Sequence, residues 1–235
     1  MFPLQSAILL LCPTVFTMSS QLLAAADFLG ILAFALAGIL AAEGKKVDPV
    51  GVFVLAFTTA FGGGLIRDLI IDNRPFYWVS HEHYVWIVLV MALLAPRVIR
   101  RFHQFFPFSV FIWADAVGLG VFAVSGTALS YTAGLPMLPA TMLGVCTGVF
   151  GGLIRDVFLN KVPMVLSDRE PYASAAFLGS WVYLGLITLE LPQTACIWIA
   201  SILIIAIRMF CWYKQLLLIS YKGQRDNDGT FHARK

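Results

Sequence analysis

Gly62-Gly63-Gly64-Leu65-Ile66-Arg67-Asp68 stands near the end of a long apolar run, and the chain uses the pattern again as Gly151-Gly152-Leu153-Ile154-Arg155-Asp156. Glycine inside a helix costs about 1 kcal/mol against alanine. Arginine inside a bilayer costs about 2.5–3.5 kcal/mol on insertion scales. Two costly residue types set side by side, twice, point to use. The expectation is a pair of membrane helices, broken at their glycines, that shape a polar path.

Composition agrees with a membrane setting. Of the 235 residues 60% are hydrophobic and only 12% charged, with a mean hydropathy of +0.84. A soluble domain carries about a quarter charged residues. Several apolar runs reach the ~20 residues of a spanning helix, and barrel strands would instead read as short alternating segments. The fold class is therefore all-α integral membrane. Cys12, Cys146, Cys196 and Cys211 stand singly in apolar surroundings and read as packing residues.

Seven transmembrane helices are expected, over 22–42, 50–71, 84–95, 110–131, 138–159, 172–189 and 194–213. Residues 1–20 read either as an extension of the first span or as a start-site artefact before Met18. Asp72-Asn73-Arg74-Pro75 is a turn signal. Lys45, Lys46, Arg97, Arg100, Arg101, Lys161, Arg169 and the C-terminal basic residues fall on one side of a seven-span chain, which puts the amino terminus outside and the carboxyl terminus in the cytoplasm.

Arg155 follows Arg67 by 88 residues, and the same offset carries Asp27 onto Asp115, Gly30 onto Gly118, Phe34 onto Phe122, Gly38 onto Gly126, Thr59 onto Thr147 and Tyr84 onto Tyr172. No gap is needed between Asp27 and Tyr84. Each copy holds three spans, and an odd number inverts the second, the plan of many transport proteins. The chain then divides into an extension (1–21), repeat 1 (22–106), repeat 2 (107–191), a seventh helix (192–221) and a polar cytoplasmic tail (222–235), read as disordered.

Arg67 lies four residues, about 6 Å, inside the end of its span. Gly62, Gly63, Gly64, Gly151 and Gly152 lie a turn deeper, where an unwound helix would expose carbonyls to water or a cation. The competing reading is close helix packing, with Arg-Asp a pair of charges near the interface. Asp27 and Asp115 each stand at the start of an expected span, as caps, as mouth carboxylates or as partners of the arginines. Thr58, Thr59, Thr147 and Ser125 offer hydroxyls to a pore, or bond back to their own backbone. His81-Glu82-His83 lacks a converging third ligand, so no metal or cofactor is expected. No nucleophile elbow, P-loop or HExxH occurs, so no enzyme is expected.

Two three-helix repeats, each with Gly-Gly-(Gly)-x-x-Arg-Asp, and a seventh helix resemble the prokaryotic trimeric intracellular cation (TRIC) channels, whose bacterial members are also labelled glycine transporters. The resemblance covers 22–213. It implies a homotrimer in the bacterial inner membrane, with a pore in each subunit that passes potassium or sodium. It places Gly62–Gly64, Arg67, Asp68, Gly151, Gly152, Arg155 and Asp156 at the pore or its gate, and implies bending at the glycines. Partners are then further copies of the chain, membrane lipid and monovalent cations, with no nucleic acid. Two alternatives stand beside it. A secondary transporter of a small amino acid such as glycine would use an arginine for the carboxylate. A non-transporting scaffold would use the glycines for packing alone.

Overall fold

The computed structural model describes residues 13–102, 108–166, 171–215, 224–225 and 231–232. Seven long helices are found among them: α1 (Pro13–Ala41), α2 (Pro49–Ile70), α3 (Glu82–Phe102), α4 (Phe108–Thr132), α5 (Met137–Phe158), α6 (Ala173–Thr188) and α7 (Gln193–Lys214). Four of these, α2, α4, α5 and α7, are long and apolar enough to cross a membrane. Shorter apolar stretches lie in α1, α3 and α6, over Ala25–Ala41, Glu82–Ala95 and Ala173–Thr188.

Most helix bounds fall where the apolar runs and their punctuation put them. Asp48 caps α2, its Oδ1 accepting from the Gly51 N–H at 2.7 Å, with Pro49 in the first turn. α1 is a correction, because it starts at Pro13 and absorbs Met18 and the expected start at Leu22. The readings of residues 1–12 lie outside the described residues. α3 also outruns its apolar stretch and continues through Pro96 to Phe102. In the tail, Gln224–Arg225 pairs with Phe231–His232 as two short antiparallel strands, where disorder was expected; the rest of 216–235 lies outside the described residues.

The larger correction concerns the glycines. α2 runs unbroken through Gly62, Gly63 and Gly64, and α5 through Gly151 and Gly152. A Cβ on Gly63 would fall on the carbonyl oxygen of Thr147, and one on Gly151 on that of Thr59. The glycines let two intact helices touch backbone to backbone. Thr59 meets Gly151 while Gly63 meets Thr147, so the numbering runs in opposite senses and α2 crosses α5 antiparallel. α1 and α4 do the same: a Cβ on Gly30 would meet Phe122, and one on Gly118 would meet Phe34. The Phe34 and Phe122 rings lie 5.3 Å apart between them.

Each of these contacts maps onto its partner under the 88-residue shift. Gly38 likewise packs on Thr59 as Gly126 packs on Thr147. α1, α2 and α3 all contact one another, as do α4, α5 and α6. α7 packs chiefly on α4 and α6, with a smaller contact to α1.

Candidate functional site

Arg67 and Asp68 occupy the last turn of α2, and Arg155 and Asp156 the last turn of α5. A cation is favoured there by the negative end of the helix dipole. Both helices stop alike. Asp72 and Asn160 take left-handed φ values of 52° and 51°. The N–H groups of Asn73 and Lys161 reach back to the carbonyls of Asp68 and Asp156, each at 2.9 Å.

The Arg-Asp pair is a local clamp. Arg67 Nε donates to Asp68 Oδ1 at 2.9 Å, and Arg155 Nε to Asp156 Oδ1 at the same distance. The second carboxylate oxygen then holds the segment that follows. Asp68 Oδ2 accepts from the Tyr77 N–H at 3.3 Å, and Asp156 Oδ2 from the Met164 N–H at 3.1 Å. Each aspartate thereby orients its arginine and draws the next segment back over the helix end.

Beyond the clamp the two ends differ. At the Arg67 end lies a cavity of about 380 Å³, lined in part by Asp27, Gly64, Arg67, Asp68, Tyr77 and Ser125. Asp27 is half-buried and close enough to Arg67 to feel its charge, and it shares a hydrogen bond with the Tyr77 side chain. No ion pair within 4 Å joins Asp27 to an arginine among the described residues. Tyr77 follows the clamp in a short helical turn, Tyr77–Ser80, and stacks on His81 at 4.3 Å. Burial, and then the Asp27 carboxylate beside it, push the Tyr77 hydroxyl well above the ordinary tyrosine range, so it stays protonated as a donor. Ser125 Oγ is buried with no hydrogen-bond partner among the described residues.

At the Arg155 end the same register is filled. Asp115 is fully buried and accepts from Arg155 Nη1 at 2.8 Å on one oxygen and from Arg208 Nη2 at 3.2 Å on the other. Arg155 lies over the Phe111 ring at 4.8 Å and Arg208 over the Tyr172 ring at 4.2 Å. Met164 Sδ sits 3.8 Å from Arg155 Nη2. α4, α5, α7, the residue that opens α6 and the segment after α5 converge on this charge cluster.

The expected site residues therefore separate. Neither aspartate is a helix cap, because Asp27 lies well inside α1 and Asp115 two turns into α4. The hydroxyls of Thr58, Thr59 and Thr147 bond back to the carbonyls of Val54, Leu55 and Leu143 at 2.5–2.7 Å. Gly64 faces the cavity, and a Cβ placed on it would find Arg67 Nη2 as its nearest neighbour, at 3.8 Å. Gly62 faces Ile154, and Gly152 faces Tyr172 and Asp115. Tyr77, Phe111, Met164 and Arg208 were missed. Of these, only Arg208 carried a signal, a lone cation amid the apolar run of α7.

Comparison with known proteins adds the lineage. The family model described as Glycine transporter matches residues 24–98 and 112–188, two stretches whose starts stand 88 residues apart. A UPF0126 inner membrane protein of Escherichia coli K12, YadS, is 38% identical over 157 residues, covering 67% of this chain and 75% of that protein. A UPF0126 membrane protein of Vibrio cholerae is 37% identical over 166 residues, covering 69% and 67%. Among solved structures, the TRIC trimeric intracellular cation channel orthologue from Rhodobacter sphaeroides superposes with a TM-score of 0.75 at 30% identity, covering 83% of this chain and 98% of that one. A second structure, solved to explain conductance through TRIC cation channels, gives 0.73 at 32% identity, covering 86% and 98%.

Proposed function

This chain belongs to the Glycine transporter family of membrane proteins, and from that premise we propose that it is a monovalent-cation channel with a pathway inside each subunit of a homotrimer. The shared fold with TRIC channels supports the class. The observation that carries the reading is the cavity at the Arg67 end, which holds a half-buried carboxylate, Asp27, with no arginine bound to it among the described residues. A carboxylate in a low-dielectric recess attracts a small cation far more strongly than one in water.

The proposed frame is two inverted three-helix repeats, 22–106 and 107–191, followed by the seventh helix, 192–221. Its support is the reciprocal contact pattern and the doubled family match. With the basic loops in the cytoplasm, the cavity opens outward and the Arg155 cluster lies inward. Asp27 collects the ion, potassium or sodium, and the Ser125 and Tyr77 oxygens share its coordination. Arg67, neutralised by Asp68, guards the way on. Gly63 and Gly151 set how closely α2 and α5 cross, Gly62 and Gly152 pack beside that crossing, and Gly64 keeps the cavity wall clear. Arg155 and Asp156, with Asp115, close the far end. Thr58, Thr59 and Thr147 serve their own helices, and lipid surrounds the trimer.

Purified protein in a planar bilayer should give ohmic, stepwise potassium currents that change in size in Arg67→Ala. A second reading, transport of a small amino acid, draws on the guanidinium and separate carboxylate within one cavity. Saturable glycine uptake that follows an ion gradient, without current steps, would establish that reading instead. Silence in both assays from folded protein would leave the scaffold.

A further inference from the structure

The 88-residue register exposes one departure from symmetry that neither repeat contains. Asp27 and Asp115 are equivalent, yet Asp27 faces a cavity and Asp115 is sealed. The added group is Arg208, which comes from α7, the helix with no counterpart in the other half. It is 1% exposed, donates to Asp115 Oδ2 at 3.2 Å, and lies over the Tyr172 ring at 4.2 Å. Tyr84, the equivalent of Tyr172, instead stacks against Tyr77 and His81 at the cavity end. Arg155 already gives Asp115 a close partner at 2.8 Å, equivalent to the arginine available to Asp27. A second guanidinium is not needed to orient the carboxylate. Its effect is to occupy the space and cancel the charge that a cation would use.

We propose that Arg208 is a latch that closes the Arg155 end of the pathway by holding Asp115 against α7. The inference rests on the channel reading. Asp115 is then the inner counterpart of Asp27, exposed to the ion only when Arg208 withdraws. Planar guanidinium stacking and a fork of donors suit arginine to this position better than lysine, whose ammonium is a compact point charge.

The test is single-channel recording of purified trimers of wild type, Arg208→Gln, Arg208→Lys and Ile204→Ala, with thermal unfolding measured on the same samples. Ile204 is a fully buried neighbour on α7 outside the charge cluster. Arg208→Gln should raise open probability by at least about tenfold, the factor carried by one charge-assisted hydrogen bond, and Arg208→Lys should recover much of the closure. Ile204→Ala should lower the unfolding temperature without changing open probability. The proposal is overturned if folded Arg208→Gln opens no more than wild type, or if Ile204→Ala opens equally. Should Arg208→Gln fail to fold, the charge-balanced pair Asp115→Asn with Arg208→Gln takes its place, and a closed pair overturns the latch. Absence of current in wild type would refute the channel reading separately. Amide exchange over 151–158 then decides the latch: faster exchange in Arg208→Gln supports it, and unchanged exchange sinks it.

Discussion

Replacing Gly63 with alanine should destabilise the protein, while the same change at Gly64, one residue on, should stabilise it. The structure gives both signs. A Cβ at Gly63 overlaps the Thr147 carbonyl oxygen, part of a rigid helix backbone with no flexible side chain to move aside. Overpacking of that kind costs up to about 3 kcal/mol, while alanine regains about 1 kcal/mol of helix propensity. The net loss is about 2 kcal/mol, or roughly 4–8 °C in the unfolding midpoint for a domain of this size. At Gly64 the nearest atom to the new methyl is Arg67 Nη2 at 3.8 Å, an ordinary contact. Only the propensity term remains, about 1 kcal/mol in favour, or a rise of roughly 2–4 °C. Thermal unfolding of the two variants in one detergent measures the difference directly. If the glycines served chiefly as flexible hinges, both substitutions would stiffen α2 and shift the midpoint in the same direction. That result would refute the close-contact argument.

Other outcomes follow from the unequal ends. Asp115→Asn removes the charge that Arg155 and Arg208 share, leaving Arg155 its Asp156 partner, and should cost about 3–5 kcal/mol, seen as a lower unfolding midpoint or loss of folded trimer. Asp27→Asn lies beside a cavity and should cost under ~1 kcal/mol, yet it should reduce cation current, more at ~0.01 M than at ~1 M salt, where the Debye length is about 3 Å. Tyr77→Phe removes a donor to Asp27 and should lower stability by about 1 kcal/mol while altering current at the Arg67 end. Thr147→Val, whose hydroxyl serves only its own helix among the described hydrogen bonds, should cost no more than about 1 kcal/mol and leave current unchanged.

The helices were legible because apolar length, Asp48-Pro49 and the turn residues act locally, and α2, α4, α5, α6 and α7 began and ended within a residue or two of expectation. The start of α1 was not, because the proline at 13 reads as a breaker until it is seen in a first turn. The glycine motif was found with two readings, a helix break and close packing, and the unbroken helices correct the first while the close contact agrees with the second. Propensity alone says that Gly62–Gly64 weaken a helix, whereas the backbone of α5 pressed against Gly63 is a tertiary fact with no local trace. The paired aspartates were likewise found as equivalents. Asp115, unlike Asp27, is bonded by Arg208, 93 residues away in the chain and beyond the stretch that the 88-residue offset aligns.

The backbone contact between α2 and α5 has a mechanical consequence. Two helices whose backbones touch at Thr59–Gly63 and Thr147–Gly151 are placed like a pair of shears with its rivet at that turn. Arg67 stands about 9 Å along its blade from the rivet at 1.5 Å per residue, and Arg155 stands as far along the other. Rotation that parts the blades at one end must swing them at the other as well. The cavity at Arg67 and the charge cluster at Arg155 thus lie at opposite ends of one crossed pair of helices.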